Sequence, residues 1–327
     1  MEATVIEGIV SAVHPAFALC AACELDVFTP LADGRKSAEE LAALLGADPA
    51  KLRVLLYALV AAQLLTVGDG LFANTNEADH FLVKQRPSYI GSRSELWAEI
   101  WTAELKSAES IRTGRAQAKK DFATMSTDER ERIFRGLHSG ALAAGRELVR
   151  AYDFSAYRTL VDVGGGTGGI VVALAEALPS LRATVADLPE VVPTTRRFIA
   201  DAGLAGRISI IPVDIVHQPL PGSFDAAVLK ALIQVLSPED ARTALQNVSR
   251  GLAPGGDLYI VGSILDDSRL TPPATAAFNL VFINIYDGGQ AYTESEYRAW
   301  LKEAGFERIE RSSLPGGFGV ISARKGS

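Results

Sequence analysis

Acidic side chains follow three successive apolar segments in the second half of the chain. Asp162 lies near the end of the first segment, and Asp187 and Asp214 close the next two. Parallel strands present their carboxyl ends at one edge of a sheet, where such folds bind ligands, so we expect the three carboxylates to face one ligand. A carboxylate stabilises a neighbouring positive charge. The pattern therefore indicates a site for a neutral or cationic nucleoside.

A glycine-rich turn separates Asp162 from the helix predicted after it. Gly164, Gly166 and Gly168 let backbone N–H groups approach a ligand closely, in dihedral regions closed to other residues. With Gly169, the turn fits both the dinucleotide pattern Gly-x-Gly-x-x-Gly and the Asp-x-Gly-x-Gly-x-Gly loop of S-adenosylmethionine-dependent methyltransferases. Asp162 would repel a pyrophosphate, whereas it would attract the ammonium and sulfonium groups of S-adenosylmethionine. We therefore expect S-adenosylmethionine as the cofactor, in preference to a nicotinamide dinucleotide.

The composition is typical of an enzyme with two domains. The chain has 327 residues, of which 48% are hydrophobic and 22% charged, and its net charge is -7. This acidic balance disfavours nucleic acid as a partner. Residues 1–3 lack a basic leader region, and the longest uncharged apolar stretch is taken as residues 54–67, too short to span a bilayer. We expect a cytoplasmic protein with no membrane partner.

The two cysteines, Cys20 and Cys23, form an isolated Cys-x-x-Cys pattern. A zinc site would need a second cysteine pair or clustered histidines, and the chain has neither. Both cysteines lie in an apolar run of helical character, residues 13–27. We expect them to be buried on a helix, and we expect no metal.

The periodicity of the sequence changes near residue 150. Before it, a helix, a second helix at about residues 50–65 and a short hairpin predict a winged-helix arrangement. The second helix is apolar nearly all round, which favours packing against protein over reading DNA. Residues 6–28 are equally apolar and are expected to bury themselves against a second subunit. After residue 150, alternating strands and helices predict a Rossmann-like, doubly wound α/β sheet.

The whole chain resembles the S-adenosylmethionine-dependent O-methyltransferases typified by plant caffeic-acid-type and hydroxyindole enzymes and by bacterial antibiotic-pathway relatives. The landmarks that carry the resemblance occur in order, and they are Tyr152-Asp153-Phe154, 161–168, Asp187-Leu188-Pro189, Val213-Asp214, Pro254-Gly255-Gly256, 292–297 and Ala304-Gly305-Phe306. The resemblance implies a winged-helix-like dimerisation domain (1–110), connecting helices that form part of the acceptor pocket (111–150) and a cofactor-binding methyltransferase domain (151–327).

The resemblance also implies a role for each cofactor-binding residue. The implied set is Asp162, Gly164, Gly166 and Gly168 around the methionine part, Asp187 at the ribose hydroxyls, Leu188 on the adenine, Asp214 and Ile215 at the adenine edge, and Lys230 near the cofactor.

The acceptor side departs from the family pattern. The family's catalytic histidine falls at Gln234, and the acids around that histidine fall at Gly262 and at Ala291-Tyr292. Glutamine cannot accept a proton near neutral pH, so no general base is expected here. Three losses together indicate a different chemical requirement. We expect methyl transfer by positioning to an O, S, N or C atom that is already nucleophilic, in a small and mostly apolar acceptor.

His138 is the candidate for a substitute base. It lies on the helix predicted for residues 130–150, where the family places substrate-facing residues, and it is expected either to reach the acceptor or to be solvated. The acceptor pocket is expected to involve Trp97 and Trp101 on one helix, for which core packing is the alternative, and Asn279 and Phe282 in an apolar segment.

Two other functions stay open at this point. One alternative is an enzyme that binds the cofactor but transfers no methyl group, such as a hydroxylase or cyclase. Family members that lack the histidine make this alternative possible. The winged helix also permits a transcriptional regulator, although the apolar second helix and the net acidity disfavour it.

Overall fold

The structure is a computed structural model that describes residues 3–120, 122 and 124–326. The first two residues, on which the expectation about a leader partly rests, lie outside the described residues. The chain divides into two compact units, Met1–Glu99 and Ile100–Ser327, and each is described by itself.

The first unit is mainly helical. Its elements are α1 (Thr4–Ser11), α2 (Val13–Leu25), α3 (Phe28–Leu31), α4 (Ala38–Leu45), α5 (Pro49–Ala61), β1 (Leu65–Gly68), β2 (Leu71–Asn74), α6 (Asn76–Leu82) and α7 (Ser94–Glu104), which continues into the second unit. Ser37 begins α4 with a reciprocal capping box, and Asp48 caps α5 ahead of Pro49. Because Leu65 begins the antiparallel β1–β2 hairpin, α5 ends earlier than the predicted second helix. The helix, helix and hairpin of the prediction are confirmed.

The most apolar part of this unit is at its N-terminal end. Val5, Ile6, Ile9 and Val10 are all more than half exposed. Among the described residues, the helical stretch Thr4–Leu25 is the one span that is long and apolar enough to cross a membrane, judged by length and composition only. The expectation that residues 54–67 form the longest apolar stretch is therefore wrong. On α2, the free thiol of Cys23 is buried, as predicted, whereas Cys20 is half-buried.

The second unit is built on a seven-stranded sheet in the order β10-β11-β7-β6-β3-β4-β5. Its elements are α8 (Ser107–Thr113), α9 (Thr127–Ala151), β3 (Thr159–Val163), α10 (Gly169–Ala177), β4 (Arg182–Asp187), α11 (Val192–Asp201), β5 (Ile208–Pro212), β6 (Phe224–Lys230), α12 (Pro238–Gly251), β7 (Leu252–Gly262), β8 (Ile264–Leu265), α13 (Pro273–Ile285), β9 (Tyr292–Thr293), α14 (Glu294–Glu303), β10 (Phe306–Ser313) and β11 (Gly319–Lys325).

Strands β3 to β7 are parallel, and β10 and β11 add an antiparallel edge. The chain winds from β3 to β5 in one direction and from β6 to β7 in the other, so the strand order reverses between β3 and β6. The doubly wound fold is confirmed, and a sheet of this kind binds its ligand at the carboxyl ends of the strands beside this reversal.

Helix α9 holds the start of α10 in place by a close crossing. A Cβ atom added to Gly145 would lie 2.8 Å from the Cβ of Ala173, and one added to Gly169 would lie 2.7 Å from the Cβ of Ala141. Glycine at both positions therefore allows the two helices to pack backbone against backbone. Because Gly169 is the first residue of α10, this crossing fixes the position of the turn that precedes it.

Candidate active site

The turn between β3 and α10 requires glycine at alternate positions. Gly164, Gly166 and Gly168 have φ angles of +67°, +55° and +73°. A side chain at Gly166 would also meet the ring of Phe134, since a Cβ there would lie 2.9 Å from ring atom Cε1. The buried hydroxyl of Thr195 donates to the Gly166 carbonyl oxygen at 2.6 Å and so holds the turn from α11. The backbone of this turn is thus both strained for other residues and fixed by its neighbours.

Asp162 is completely buried beneath this turn. Neither carboxylate oxygen has a hydrogen-bond partner among the described residues. Burial, and then the charge of Asp187, raise its pKa to about 8, while the Lys230 ammonium opposes the rise. A buried carboxylate without a partner is costly, and a cationic ligand group would remove that cost. This orphaned pair of oxygens fits the ammonium group of S-adenosylmethionine.

Asp187 lies at the carboxyl end of β4, beside the turn. Its Oδ2 accepts a hydrogen bond from the Gly166 N–H and its Oδ1 accepts one from the Leu188 N–H, both at 2.7 Å. Burial raises its pKa to about 6, and the two backbone hydrogen bonds oppose that shift. The Val213 N–H donates to the Asp187 carbonyl oxygen at 2.8 Å, which brings the end of β5 next to this carboxylate.

Asp214 follows β5 and is engaged locally. Its Oδ1 accepts from the Val216 N–H at 3.0 Å, and its Oδ2 lies 2.8 Å from Nδ1 of the exposed His217. The side chain of Ile215 is buried in the core that α12 and α14 form against the sheet. The structure therefore brings Asp162, Asp187 and the Asp214 turn to one edge of the sheet.

Lys230 ends β6 at the same edge. Its Nζ lies 5.1 Å from the centroid of the Phe318 ring, and its charge acts on Asp162. The next residue, Ala231, has a φ of +57°, a left-handed conformation that costs an alanine roughly 1–2 kcal/mol. This reversal leads the chain from the strand end into the short turn that carries Gln234.

Gln234 is buried, with 7% of its surface exposed, and its amide is held in one orientation. Its Oε1 accepts a hydrogen bond from the Ser263 N–H at 2.8 Å. A backbone N–H is only a donor, so the amide oxygen must face Ser263 and the Nε2 donors must face the other way. A Cβ atom at Gly262 would overlap Oε1, so the absence of a side chain at 262 is what admits the glutamine.

His138 lies on the cofactor side of this arrangement. Its Nδ1 is 2.8 Å from Oγ1 of Thr167 in the glycine-rich turn, and its ring centroid is 4.7 Å from that of Phe198 on α11. The ring is half-buried, and burial, followed by the charge of Arg146, lowers its pKa. The expectation of a solvated position is therefore wrong. The ring contacts the glycine-rich turn and α11. Its role as a substitute base stays a prediction.

The side chains predicted for the acceptor pocket fall in different surroundings. Asn279 accepts a hydrogen bond from the Ala291 N–H at 2.6 Å through its Oδ1, so it holds backbone. Its neighbours in sequence, Phe278 and Leu280, point to other faces of α13 and are 41% and 43% exposed. Phe282, one turn further on, is buried and packs edge-to-face on Phe278.

Trp97 and Trp101 both lie on α7, as the sequence predicts, and both are half-buried. The guanidinium of Arg93 lies 5.9 Å from the Trp97 ring centroid. Contact of either tryptophan with an acceptor stays a prediction.

Comparison with known proteins identifies the family. The family model of the O-methyltransferase domain matches residues 107–307, and that of the O-methyltransferase dimerisation domain matches residues 9–84. The chain belongs to the O-methyltransferase family. Together with this sheet edge, the match makes the protein an S-adenosylmethionine-dependent methyltransferase, as the resemblance implied.

Three relatives of this methyltransferase show the range of the family. The 3-hydroxy-5-methyl-1-naphthoate 3-O-methyltransferase of Streptomyces sahachiroi is 32% identical, over 94% of this chain and 91% of the relative. An N,N-dimethyltransferase of Streptomyces rimosus is 31% identical, over 92% of this chain and 91% of the length of that relative. The crystal structure of human N-acetylserotonin methyltransferase in complex with S-adenosylmethionine superimposes with a TM-score of 0.87 at 25% identity, covering 100% of this chain and 99% of the human one.

Sequence reasoning missed two residues that support the methyltransferase's cofactor edge. Thr195 is one of two adjacent threonines on α11, and nothing in the sequence marks it as the one that bonds to Gly166. Arg130 is one of several basic residues on the amphipathic helix α9, yet it is buried. Both act through partners far away in the sequence, and a local pattern carries no signal for such contacts.

Among the described residues, no group of three or more histidine, cysteine, aspartate or glutamate side chains could hold a metal ion.

Proposed function

We propose that this enzyme transfers the methyl group of S-adenosylmethionine directly to a small, mostly apolar acceptor whose nucleophilic atom needs no proton removed by the protein. The observation that carries the proposal is Gln234, which is buried at the position of the family's histidine and oriented by the Ser263 N–H. Its amide offers the acceptor a hydrogen-bond donor and cannot act as a base at neutral pH.

On the donor side, we assign Asp162 to the ammonium group of the methionine part, with the turn of Gly164, Gly166 and Gly168 around that part. Asp187 binds the ribose hydroxyls, and Leu188 packs on the adenine. Support comes from the unpartnered oxygens of Asp162 and from the backbone hydrogen bonds that orient Asp187. The Asp214–Ile215 turn meets the adenine edge, and Lys230 lies near Asp162. The cofactor, when bound, supplies the electrophilic methyl group.

On the acceptor side, a lone pair of the acceptor forms the new bond to the methyl carbon, and the electrons of the broken sulfur–carbon bond remain on sulfur. The Nε2 group of Gln234 holds the acceptor by a hydrogen bond to a lone pair beside the reacting atom. Positioning of this kind can supply about 7–11 kcal/mol of a barrier, which exceeds the roughly 3–5 kcal/mol that general-base help of a hundred- to ten-thousandfold would give. Asn279 and Phe282 are assigned to the acceptor side of the site.

We further propose that the enzyme is a cytoplasmic homodimer formed through its first unit. The match to the dimerisation domain and the exposed apolar side chains of α1 and α2 support this assignment. Contiguous exposed apolar side chains of this kind are typical of a surface that binds another protein chain.

The test is a panel of acceptors presented with S-adenosylmethionine carrying a labelled methyl group. The panel contains thiols, amines, aliphatic alcohols and a series of substituted naphthols whose pKa values span several units. The rate for each naphthol should rise with pH until that naphthol is ionised and then stay level, because no group of the protein removes the proton. Product mass spectrometry identifies the methylated atom.

Efficient methylation of only the high-pKa alcohols, with a pH profile common to all of them, would overturn the proposal, since it requires a base on the enzyme. Cofactor that binds but is never consumed by any member of the panel or by cell extract would favour a non-methylating reaction instead.

A further inference from the structure

The guanidinium of Arg130 is buried among backbone carbonyl groups. Its Nε and Nη2 donate to the Phe122 carbonyl oxygen at 3.2 and 2.8 Å, Nη2 also donates to that of Met125 at 2.9 Å, and Nη1 donates to that of Glu190 at 2.6 Å. Only 7% of the residue is exposed, and no carboxylate of the described residues forms an ion pair with it. A buried cation is tolerated only when its donors are satisfied, so each of these carbonyls is held firmly.

The carbonyl groups belong to two segments that border the cofactor edge. Glu190 is two residues after Leu188, in the turn where the Val191 N–H donates to the Leu188 carbonyl oxygen at 2.9 Å. Phe122 stacks on Phe134 with ring centroids 5.4 Å apart, and the Phe134 ring limits the space beside Gly166. Arg130 therefore connects the segment before α9 with the turn after Asp187, and both segments lie beside the glycine-rich turn.

The segment before α9 is also attached at its other end. The Ala118 N–H donates to the Asn284 carbonyl oxygen at 2.8 Å, and the Lys119 ammonium lies 2.8 Å from the Asp287 carboxylate, both at the end of α13. Residues 118–119 are thus anchored on the proposed acceptor helix, while Phe122 and Met125 are anchored by Arg130. Without the guanidinium, neither anchor on α13 would restrain the turn at Glu190.

We infer that Arg130 is a positioning residue for the cofactor: it holds the turn that carries Leu188 and the Phe122–Phe134 stack in the arrangement that receives the adenosine and methionine parts. The inference rests on the proposed assignment of Asp187 and Leu188 to the adenosine. The guanidinium of Arg130 donates to backbone carbonyl groups, so we expect its loss to weaken cofactor binding and to leave the chemical step of the saturated enzyme nearly intact.

The chain offers a matched control in Arg207. Its Nη1 and Nη2 donate to the Ala175 and Leu178 carbonyl oxygens, each at 2.8 Å, at the end of α10 that is remote from the glycine-rich turn. Substitution of either arginine removes hydrogen bonds from a guanidinium to backbone carbonyls and should lower the Tm. Only substitution of Arg130 should change the cofactor site.

The experiment measures the Kd of S-adenosylhomocysteine by titration calorimetry and the Tm of the free protein for Arg130→Met, Arg130→Lys, Arg207→Met and Arg207→Lys. We expect the Kd to rise about tenfold or more for Arg130→Met, with an intermediate rise for Arg130→Lys, because a single ammonium reaches only part of the carbonyl set. The Arg207 variants should lose Tm but keep the Kd of the parent enzyme. Should Arg130→Met fail to fold, Arg130→Lys against Arg207→Lys makes the same comparison.

Asp187→Ala, titrated alongside, separates this inference from the proposal beneath it. If Asp187→Ala weakens binding while the folded Arg130 variants bind like the parent, the positioning role is wrong and the cofactor assignment stands. If neither change affects the Kd, the assignment of Asp187 is wrong and the inference fails with it. A rise in Kd of equal size for the Arg207 variants would reduce the role of Arg130 to general stability.

Discussion

The donor and acceptor sides of the second unit are built in opposite ways. On the donor side, Asp187 orients two backbone N–H groups and Thr195 holds a carbonyl, so that the polar groups are fixed before any ligand arrives. On the proposed acceptor side, Gln234 and Asn279 turn their amide oxygens to the backbone, and α13 exposes the apolar side chains of Phe278 and Leu280. The donor side presents carboxylates, whereas the side chains that we assign to the acceptor side are uncharged, as the proposed mechanism requires.

The contact between Gln234 and Gly262 links two of the departures from the family pattern that the resemblance implies. Oε1 of Gln234 occupies the space that any side chain at position 262 would take, and a Cβ there would overlap it. An acid at 262 would therefore collide with the Gln234 amide in its present orientation. Gln234 and Gly262 therefore form one compensated pair, and each is understandable only with the other.

The largest effect that could break this comparison is expected from Asp187→Ala. It removes the carboxylate that orients the Gly166 and Leu188 N–H groups and that we assign to the ribose, so the affinity for S-adenosylhomocysteine should fall about a hundredfold. Asp225→Ala is the control, because Asp225 likewise accepts two backbone N–H bonds, at 2.8 and 2.9 Å, but at the amino ends of the strands. Both variants should lose Tm, and calorimetric titration should show weakened binding for Asp187→Ala alone. Equal affinities would mean that the ribose binds elsewhere.

On the acceptor side, Gly262→Ala should lower the kcat/KM for the acceptor about tenfold to a hundredfold while leaving the Kd of S-adenosylhomocysteine unchanged. The new methyl group would push the Gln234 amide away from the Ser263 N–H and misplace its Nε2 donors. Gly206→Ala is the control, because a Cβ at Gly206 meets nothing within 4 Å. Steady-state kinetics on any acceptor found by the panel makes the comparison. An unchanged kcat/KM would show that the orientation of Gln234 does not matter.

A smaller effect, graded with pH, follows from Asp162. Its pKa is about 8 without cofactor, because of burial and the charge of Asp187, and a bound ammonium should hold it ionised. Cofactor binding at pH 7 should therefore release close to one proton, and affinity should fall up to about tenfold per unit as the pH drops below 8. Calorimetry in buffers with different ionisation enthalpies measures the release, and Asp162→Asn should abolish it. Binding without proton release would contradict an ionic contact at Asp162.

The same raised pKa affects the stability of the cofactor-free protein. Between about pH 4 and pH 8 the folded chain binds more protons at Asp162 than the unfolded chain does, so this group's contribution to stability decreases as the pH rises through that window. Saturating S-adenosylhomocysteine should remove this slope, which thermal unfolding with and without the ligand can show.

The parts of the fold that local patterns determine were predictable from sequence. The sequence predicts strands near 159–163 and at 224–230, where the structure has β3 and β6, because buried parallel strands appear as continuous apolar runs bounded by turn residues. The glycine-rich turn was recognisable for the same reason, since its chemistry lies in contiguous residues. For strand β7, in contrast, the sequence predicts only residues 257–262, whereas the strand begins at Leu252, which pairs with Phe224 ahead of an irregularity in the register.

Contacts between distant segments could not be predicted in this way. Arg130 bonds to Glu190 across sixty positions of the chain, and Asn279 turned out to hold backbone because the Ala291 N–H approaches it in the fold. In both cases the residue type allowed several partners, and only the packing of α9 and α13 selected one. The donor side was thus easier to predict than the acceptor side, whose chemistry depends on such contacts.

The smallest expected effect concerns His138, and it tests whether this residue belongs to the donor side or to the acceptor side. Its Nδ1 contacts Thr167, its ring packs on Phe198, and burial lowers its pKa, so it supports the cofactor turn. His138→Gln can keep a hydrogen bond to Thr167 and should change the Kd of S-adenosylhomocysteine by no more than about threefold, with kcat and its pH profile intact. If His138 is a substitute base, the variant should instead lose at least tenfold in kcat, and the step in the pH profile that belongs to the histidine should disappear. That second result would move His138 to the acceptor side and return a general base to the mechanism.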